Sequence, residues 1–561
     1  MLISQPAPLS TLSLNEPFRP QFHFTPPEKW INDPNGMVYY DGEYHLFYQY
    51  YPDDTVWGPM HWGHAVSRDM VNWEHLPIAL YPDDLGYIFS GSAVIDWHNT
   101  AGFGKEAMVA IYTYHDPANS HQSQAIAYSN DRGRSWTKYA GNPVIPTPPN
   151  IRDFRDPKVM WYDTGDENGR WVMALAAGNA ILFYTSPDLK EWEVSGSFGF
   201  GYGATSGVWE TPDLFALPVG DSGETRWVLT VGVGNGAPAG GSGTQYFVGA
   251  FDGQTFTSEN PKETVLWVDF GADFYAAQSW SDAPDGRRLW LGWMNNWQYA
   301  PHIPTSTWRG AMTIPREVRL AQTAEGARLV QTAVSELTQL RTTHHTWQNL
   351  TLTPDAPFTP DVAGDALEII VEMDVPVTAN KVGIRVRVGE GEETAVGYAP
   401  KSNTLFVDRS RSGQGAFHDQ FATIHTAQFE PANGRLRLHL FVDKSSIEVF
   451  VNEGLLSLTD QIFPSGESVG VELFVEGETA VSVPTLEIYG LKTAVFLKNQ
   501  INLAILRFPY RRATITLGHH SKATIPDTGL LCVVHKQLSN ECCIGQLSIY
   551  PVLRTELQPS A

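Results

Sequence analysis

Gly36-Met37-Val38-Tyr39-Tyr40, then Asp41-Gly42, then Tyr44-His45-Leu46-Phe47-Tyr48 read together as a β-hairpin. Two short apolar, aromatic-rich runs flank an Asp-Gly pair. That pair marks a two-residue hairpin turn, whose central positions need positive φ. The same texture continues outward. Short strand-like runs alternate with Gly, Pro, Asn and Asp turns, and long helical patterns are absent. A weak repeat runs through it: Ser67-Arg68-Asp69 leads to Trp73, Ser129-Asn130-Asp131 to Trp136, Ser186-Pro187-Asp188 to Trp192, and Phe251-Asp252-Gly253 to Phe256. The Asp-to-Asp intervals are 62, 57 and 64 residues. A period of that length, built of short strands, suits one four-stranded propeller blade with long connections. Roughly 300 residues then give five blades around a central cavity, where residues far apart in sequence meet.

Downstream, Ala366–Met373, Val382–Val388, Leu436–Val442 and Ile447–Val451 alternate with period two between Gly, Asn and Asp punctuation, which argues a β-sandwich. The predicted fold is therefore all-β: a five-bladed β-propeller over residues 1–340, a β-sandwich over 341–493, and a tail, 494–561. A short helix is expected near Ala333–Leu340. The tail mixes apolar runs with seven Lys/Arg against three Asp/Glu and holds all three Cys, Cys532, Cys542 and Cys543. It reads as a non-functional or poorly ordered extension, with an oligomerisation element, and so a homo-oligomer, as the alternative.

Composition narrows the function. The 561 residues carry 61 Asp+Glu against 38 Lys+Arg, a net charge of −23, which argues against nucleic acid or an anionic membrane surface as a partner. No run of 18 apolar residues indicates a transmembrane helix. Three Cys exclude a disulfide scaffold and a multi-Cys metal site. All 18 Trp lie between Trp30 and Trp347, a concentration that fits a neutral ligand stacking on flat rings, such as a sugar. The N-terminus shows no secretory signal, so the protein is intracellular or its signal lies outside this chain.

Three acidic motifs stand out: Trp30-Ile31-Asn32-Asp33-Pro34-Asn35-Gly36, Phe154-Arg155-Asp156-Pro157 and Trp209-Glu210-Thr211-Pro212-Asp213. Taken singly, Asp-Pro and Asn-Gly are ordinary turn formers. Three such motifs, one per blade, are harder to explain as turns.

With His23-Phe24-Thr25-Pro26 ahead of the first, Phe89-Ser90-Gly91-Ser92 between, and Asp273-Phe274-Tyr275-Ala276-Ala277-Gln278 after, the chain resembles glycoside hydrolase family 32, the invertases, exo-inulinases and levanases. The resemblance runs from about Arg19 to about Lys492. It implies a propeller plus a sandwich, with Asp33 as nucleophile, Glu210 as acid/base and Asp156 as transition-state stabiliser. It also implies that Asn32, Gln49, Trp57, Ser90, Arg155, Tyr275 and Trp297 line the terminal-fructose subsite. On this reading Asp33 keeps its charge through amide hydrogen bonds, Asp156 stays ionised beside Arg155, and Glu210, beside Trp209 and like-charged Asp33, starts protonated. One departure is Thr211, where many family members have Cys after the acid/base Glu. Thr retains hydrogen-bonding capacity, and the pH optimum is left open.

The implied activity is retaining, exo-acting hydrolysis of terminal fructose from sucrose or fructan, without cofactor or metal. A fructosyltransferase, an inverting arabinan hydrolase and a non-catalytic carbohydrate-binding propeller are the alternatives; the last has no need of all three carboxylates. Linkage and chain-length preference stay open. His61-Trp62-Gly63-His64 lacks a convergent third ligand. The Gly-rich stretch Gly232–Gly243 lacks the Lys-Ser/Thr of a phosphate cradle and reads as a flexible loop at the cavity mouth, with Gly196–Gly207 shaping the same rim.

Overall fold

In a computed structural model of the chain, Asp41 and Gly42 take φ of 48° and 82°, the left-handed pair that a type I′ turn requires. They join strand Lys29–Tyr40 to its antiparallel partner Glu43–Tyr51. The structure describes residues 9–12, 14–163, 165, 169–499, 515–517 and 521–523.

Five sheets cover the first two-thirds of the chain. The first strands of these sheets are Lys29–Tyr40, Tyr87–Asp96, Phe154–Tyr162, Trp209–Pro218 and Tyr275–Ser279. Each contacts the next, and the last contacts the first, so the sheets close into a propeller around their inner strands.

The sequence repeat marks one recurring turn, between the third and fourth strands of successive sheets. In the first sheet Ser67 Oγ donates to Asp69, whose Oδ1 accepts the N–H groups of Val71 (3.0 Å) and Asn72 (2.8 Å). The indole of Trp73 then donates to Met70 O (3.1 Å). Ser129–Asp131–Trp136 and Ser186–Asp188–Trp192 repeat the device, with indole bonds to Gly133 O (3.0 Å) and Leu189 O (2.9 Å). Asp252 caps the corresponding turn in the fourth sheet. The Asp satisfies otherwise unpaired turn amides, and the ring packs over the turn it closes.

The expected helix is a 3-10 turn, Ser335–Leu340. Beyond it, six strands from Arg341–Leu352 to Val481–Leu491 face five others across a core of Ile369, Val371, Val382, Ile384, Leu438, Leu440, Val449 and Leu473, as in a sandwich. Alternate residues point inward: Ile369 and Val371 are fully buried, while Ile370 between them is not. A tail beginning at residue 494 does not match this arrangement. Phe496–Asn499 runs parallel to Trp73–Leu80 in the first sheet and pairs on its other side with Leu9–Thr11; Phe496 is buried. Ile515–Leu517 and Ser521–Ala523 form a separate antiparallel pair. Cys532, Cys542 and Cys543 lie outside the described residues.

Propeller and sandwich meet through buried charge. His23 sits between Asp443 Oδ2 (2.8 Å) and Glu448 Oε1 (2.9 Å); Glu448 also takes Arg316, which bonds Asp269 Oδ2 at 3.1 Å. A second cluster joins Arg409 to Asp273 Oδ2 (2.7 Å), with Tyr299 OH donating to Asp273 Oδ1 (2.8 Å). Removing one partner of such a buried pair strands the other and costs about 3–5 kcal/mol.

Burial opposes a charge on His23, but hydrogen bonds from its ring to Asp443 and Glu448, and their charges, raise it to about 9 from the usual 6.5. A raised cationic group stabilises fully below its unfolded pKa and loses that contribution as pH rises through the folded value. Stability against denaturant is therefore expected to decline between pH 6.5 and about 9, and the decline to flatten in His23→Gln. An equally steep decline in the variant would assign it to other groups.

Candidate active site

All five inner strands break register at the same depth. One extra residue enters between Ile31 and Pro34, Ile88 and Gly91, Arg155 and Lys158, Glu210 and Asp213, and Tyr275 and Gln278. Each break is a β-bulge, which bends a strand and re-aims its side chains. The bulged residues are Asn32-Asp33, Phe89-Ser90, Asp156-Pro157, Thr211-Pro212 and Ala276-Ala277. Asp156, Thr211 and Ala276 have φ of 66°, 47° and 54°. Left-handed backbone at a non-Gly residue costs about 1–3 kcal/mol and persists only where surrounding structure imposes it.

The bulges bring the expected residues together. Ser90 Oγ donates to Asp33 Oδ2 at 2.6 Å and Asn32 Nδ2 to Oδ1 at 3.2 Å. Trp30 Nε1 holds Asn32 Oδ1 (2.9 Å), and Trp297 stacks on Trp30 with centroids 6.0 Å apart. Glu210 Oε1 accepts from Arg155 Nε (3.1 Å) and Nη2 (2.8 Å), and its Oε2 accepts from Tyr275 OH. Asp156 Oδ2 accepts the N–H of Thr211 (2.9 Å). Ser90, Asp156 and Thr211 line one small cleft.

Two further expected residues lie beside the bulges, Gln49 opposite Asn32-Asp33 and Trp57 against Phe89. Gln49 is buried, its Nε2 donating to Ile88 O (3.0 Å), so that amide ties the first sheet to the second. Trp57 is 42% exposed, with its ring edge-on to Phe89.

The electrostatics depart from expectation. The side chain of Arg155, expected beside Asp156, bonds Glu210, and also Asp153 Oδ1 (2.7 Å) and Gln122 Oε1 (3.2 Å). Neither aspartate is held in the ordinary carboxylate range. Burial pushes Asp33 up to about 6; the Ser90 bond opposes this, and the charge of Glu210 adds to it. Burial also raises Asp156, with Arg155 pulling it down and Glu210 and Asp33 pushing it up. Amide bonds alone do not offset the loss of water around these groups. The buried hydroxyl of Thr211 has no hydrogen-bond partner among the described residues, and its main chain donates to Asp156.

Sequence reading missed Gln122 and Asp153, which steady Arg155, and Thr113, whose Oγ1 accepts the N–H of Asp156 (3.0 Å). No local motif marks them. His61 and His64 do not converge: His61 Nδ1 lies 2.9 Å from Pro59 O, and His64 Nε2 lies 3.0 Å from His45 Nδ1. The glycine loop before Gly243 is hydrogen-bonded to the chain beside Trp297: Asn296 Nδ2 donates to Gly240 O (3.1 Å), and Trp297 N to Ser242 Oγ (3.2 Å).

A model described as the Glycosyl hydrolases family 32 N-terminal domain matches residues 23–333, and one described as Glycosyl hydrolases family 32 C terminal matches residues 336–490. The chain is 55% identical over 498 residues to a levanase of Bacillus subtilis (strain 168), covering 86% of this chain and 72% of that one. The crystal structure of exo-inulinase from Aspergillus awamori matches with a TM-score of 0.80 and 38% identity over 86% of this chain and 99% of that one. A fructofuranosidase from Schwanniomyces occidentalis complexed with fructose matches with a TM-score of 0.77 and 30% identity over 84% of this chain and 98% of that one.

Ser90→Ala removes the shorter side-chain hydrogen bond to Asp33 and leaves its burial in place. The Asp33 carboxyl is then expected to titrate above its native value of about 6, read from its carboxyl carbon shift by NMR. An unmoved titration would show that Ser90 does not hold the charge.

Proposed function

The chain belongs to glycosyl hydrolase family 32, and from that premise we propose that it is a retaining, exo-acting β-fructosidase working through Asp33, Glu210 and Asp156. The observation that carries the reading is two carboxyls that are differently held yet near enough for the charge of Glu210 to act on Asp33: Asp33 held by Ser90 and Asn32, Glu210 by Arg155 and Tyr275.

Retention needs a nucleophile and an acid/base. Ionised Asp33 attacks the anomeric carbon of the terminal fructose. The bond to the leaving oxygen breaks, and that oxygen takes a proton from Glu210. A fructosyl–Asp33 ester remains. Glu210, now a carboxylate, removes a proton from water, the water oxygen attacks the same carbon, and Asp33 leaves as carboxylate. Fructose is released, and both carboxyl groups return to their starting forms.

Asp33 and Asp156 are both buried and both feel the charge of Glu210, so these carboxyls do not all carry charge cheaply. The rises in Asp33 and Asp156 express that. The mechanism requires the proton on Glu210 at the moment of cleavage, and the bonds that Arg155 and Tyr275 make to Glu210 orient that carboxyl. To Asp156, held by the Thr211 N–H, falls the role of gripping ring hydroxyls as charge develops on the sugar, which its position in the same cleft as Ser90 supports. Sucrose and the ends of fructan chains present this terminal fructose.

Asp33→Asn and Glu210→Gln are each expected to lower kcat for fructose release by about 10³-fold or more, with the fold retained by circular dichroism. Near-normal release by either variant would remove that residue from its role. For the wild type, kcat/KM is expected to fall as pH drops below about 6, because the attacking Asp33 must be ionised. NMR of the first-formed product should show β-fructose; the opposite anomer would exclude retention.

A further inference from the structure

On the far side of three of the bulges lies a set of buried polar groups that the reaction does not use. Lys158, Asp213 and Gln278 are each the first residue to resume pairing after the bulge of the third, fourth and fifth inner strands. All three are buried. Lys158 Nζ lies 3.2 Å from Asp213 Oδ1 and donates to Ser279 O (2.8 Å) and Gln278 Oε1 (3.4 Å). Asp213 Oδ2 accepts the N–H of Ser279 (2.7 Å). Gln278 Nε2 donates to Thr211 O (3.0 Å) and Pro212 O (3.1 Å).

Those two carbonyls belong to the bulge that separates Glu210 from Asp213. Thr211 and Pro212 have no partners in the strand register, and buried carbonyls need hydrogen bonds from somewhere. Thr211 also holds a φ of 47°, which its surroundings must impose. Gln278 meets both carbonyls with one amide nitrogen. Turned over, the same amide would present its oxygen, an acceptor facing two acceptors. Lys158 decides between the two orientations: an ammonium carries only donors, so it keeps Oε1 turned to itself. Asp213 makes that buried cation tolerable. The chain of bonds ends in the site. The N–H of Thr211 donates to Asp156 (2.9 Å), Glu210 is the residue before Thr211, and Gln278 lines the same cleft as Asp156 and Thr211.

Bracing three strands does not by itself call for charge. Taking a lysine and an aspartate out of water is costly, and a well-packed apolar pair is often as stable. An apolar pair, however, has no means of orienting an amide.

We infer that Lys158 and Asp213 are positioning residues: through Gln278 they fix the bulge after Glu210, and with it the Thr211 N–H that holds Asp156. The effect on rate rests on the β-fructosidase reading above. The test removes both charges together, in Lys158→Met/Asp213→Asn, so that neither is stranded, and sets this variant beside Gln278→Met and the triple variant. Folding is followed by circular dichroism. One readout is kcat and KM for fructose release; the other is the titration of the Asp156 carboxyl carbon by NMR, without substrate. In the double variant kcat is expected to fall about tenfold and KM to stay within about twofold, because the misplaced group acts in the transition state. The Asp156 carboxyl is expected to titrate above its native value as its bond from the Thr211 N–H loosens. Gln278→Met is expected to do the same, and the triple variant to stay within about twofold of Gln278→Met, since the pair acts through that amide. A double variant that melts lower, keeps kcat within about twofold and leaves the Asp156 titration unmoved would make the pair a brace between strands and overturn the inference. A triple variant whose losses multiply overturns it as well. Should the double variant fail to fold, Gln278→Met carries both readouts, and no change in either overturns the inference. A wild type that releases no fructose from sucrose or fructan overturns the activity; the Asp156 titration, which needs no substrate, then decides the positioning alone.

Discussion

A one-residue bulge at the same depth in every inner strand is the constraint on which the site depends. Because side chains alternate along a strand, one inserted residue changes what faces the cavity. Equivalent positions in successive sheets then become neighbours. Arg155, Glu210 and Tyr275 are each the last residue before a bulge, and they form one chain of hydrogen bonds centred on Glu210. Asp33 and Ser90 are each the second residue within a bulge, and they bond to each other. The proposed catalytic constellation is thus the propeller's own repeat, filled with different side chains.

The same geometry sets the electrostatics. Asp33 and Asp156 are both buried, so the larger effect on each is loss of water, and their hydrogen bonds recover only part of it. Arg155 turns its hydrogen bonds towards Glu210 and acts on Asp156 through its charge, while the Thr211 N–H supplies a main-chain hydrogen bond to Asp156. The left-handed backbone at Asp156, Thr211 and Ala276 is the cost of this aim. Hydrogen-bonded pairing on either side of each bulge holds those residues in place.

This division explains what was legible in the residues alone. The Asp41-Gly42 turn, the Asp-to-Trp repeat and the period-two strands are local, and each announces its element. The carboxylates were legible because Asp33, Asp156 and Glu210 sit in compact motifs. Their charge states were not. Adjacency in sequence suggests that Arg155 serves Asp156, whereas the bulge sends its side chain to the next sheet. Gln122, Asp153 and Thr113 carry no motif, since their roles exist only once distant strands are side by side. The strand Phe496–Asn499 is short, follows the end of the sandwich and gives no period, so nothing local ties it to the first sheet.

The buried ion clusters give the sandwich a part in the geometry of the site. Asp273 lies two residues before Tyr275. It is fixed by Arg409 (2.7 Å), by the N–H of Gln461 (2.8 Å) and by its own N–H to Thr459 O (3.0 Å), all from the sandwich. The entry to the fifth inner strand is therefore anchored from outside the propeller. Tyr275, at the start of that strand, reaches Glu210. A run of six residues, Asp273 to Gln278, thus carries both a docking group and a site group. A carboxylate buried for docking needs a full set of partners to be tolerated, and that requirement fixes the backbone beside it more tightly than apolar packing alone. Tyr275 inherits that precision, and with it the bond that orients the proposed acid/base.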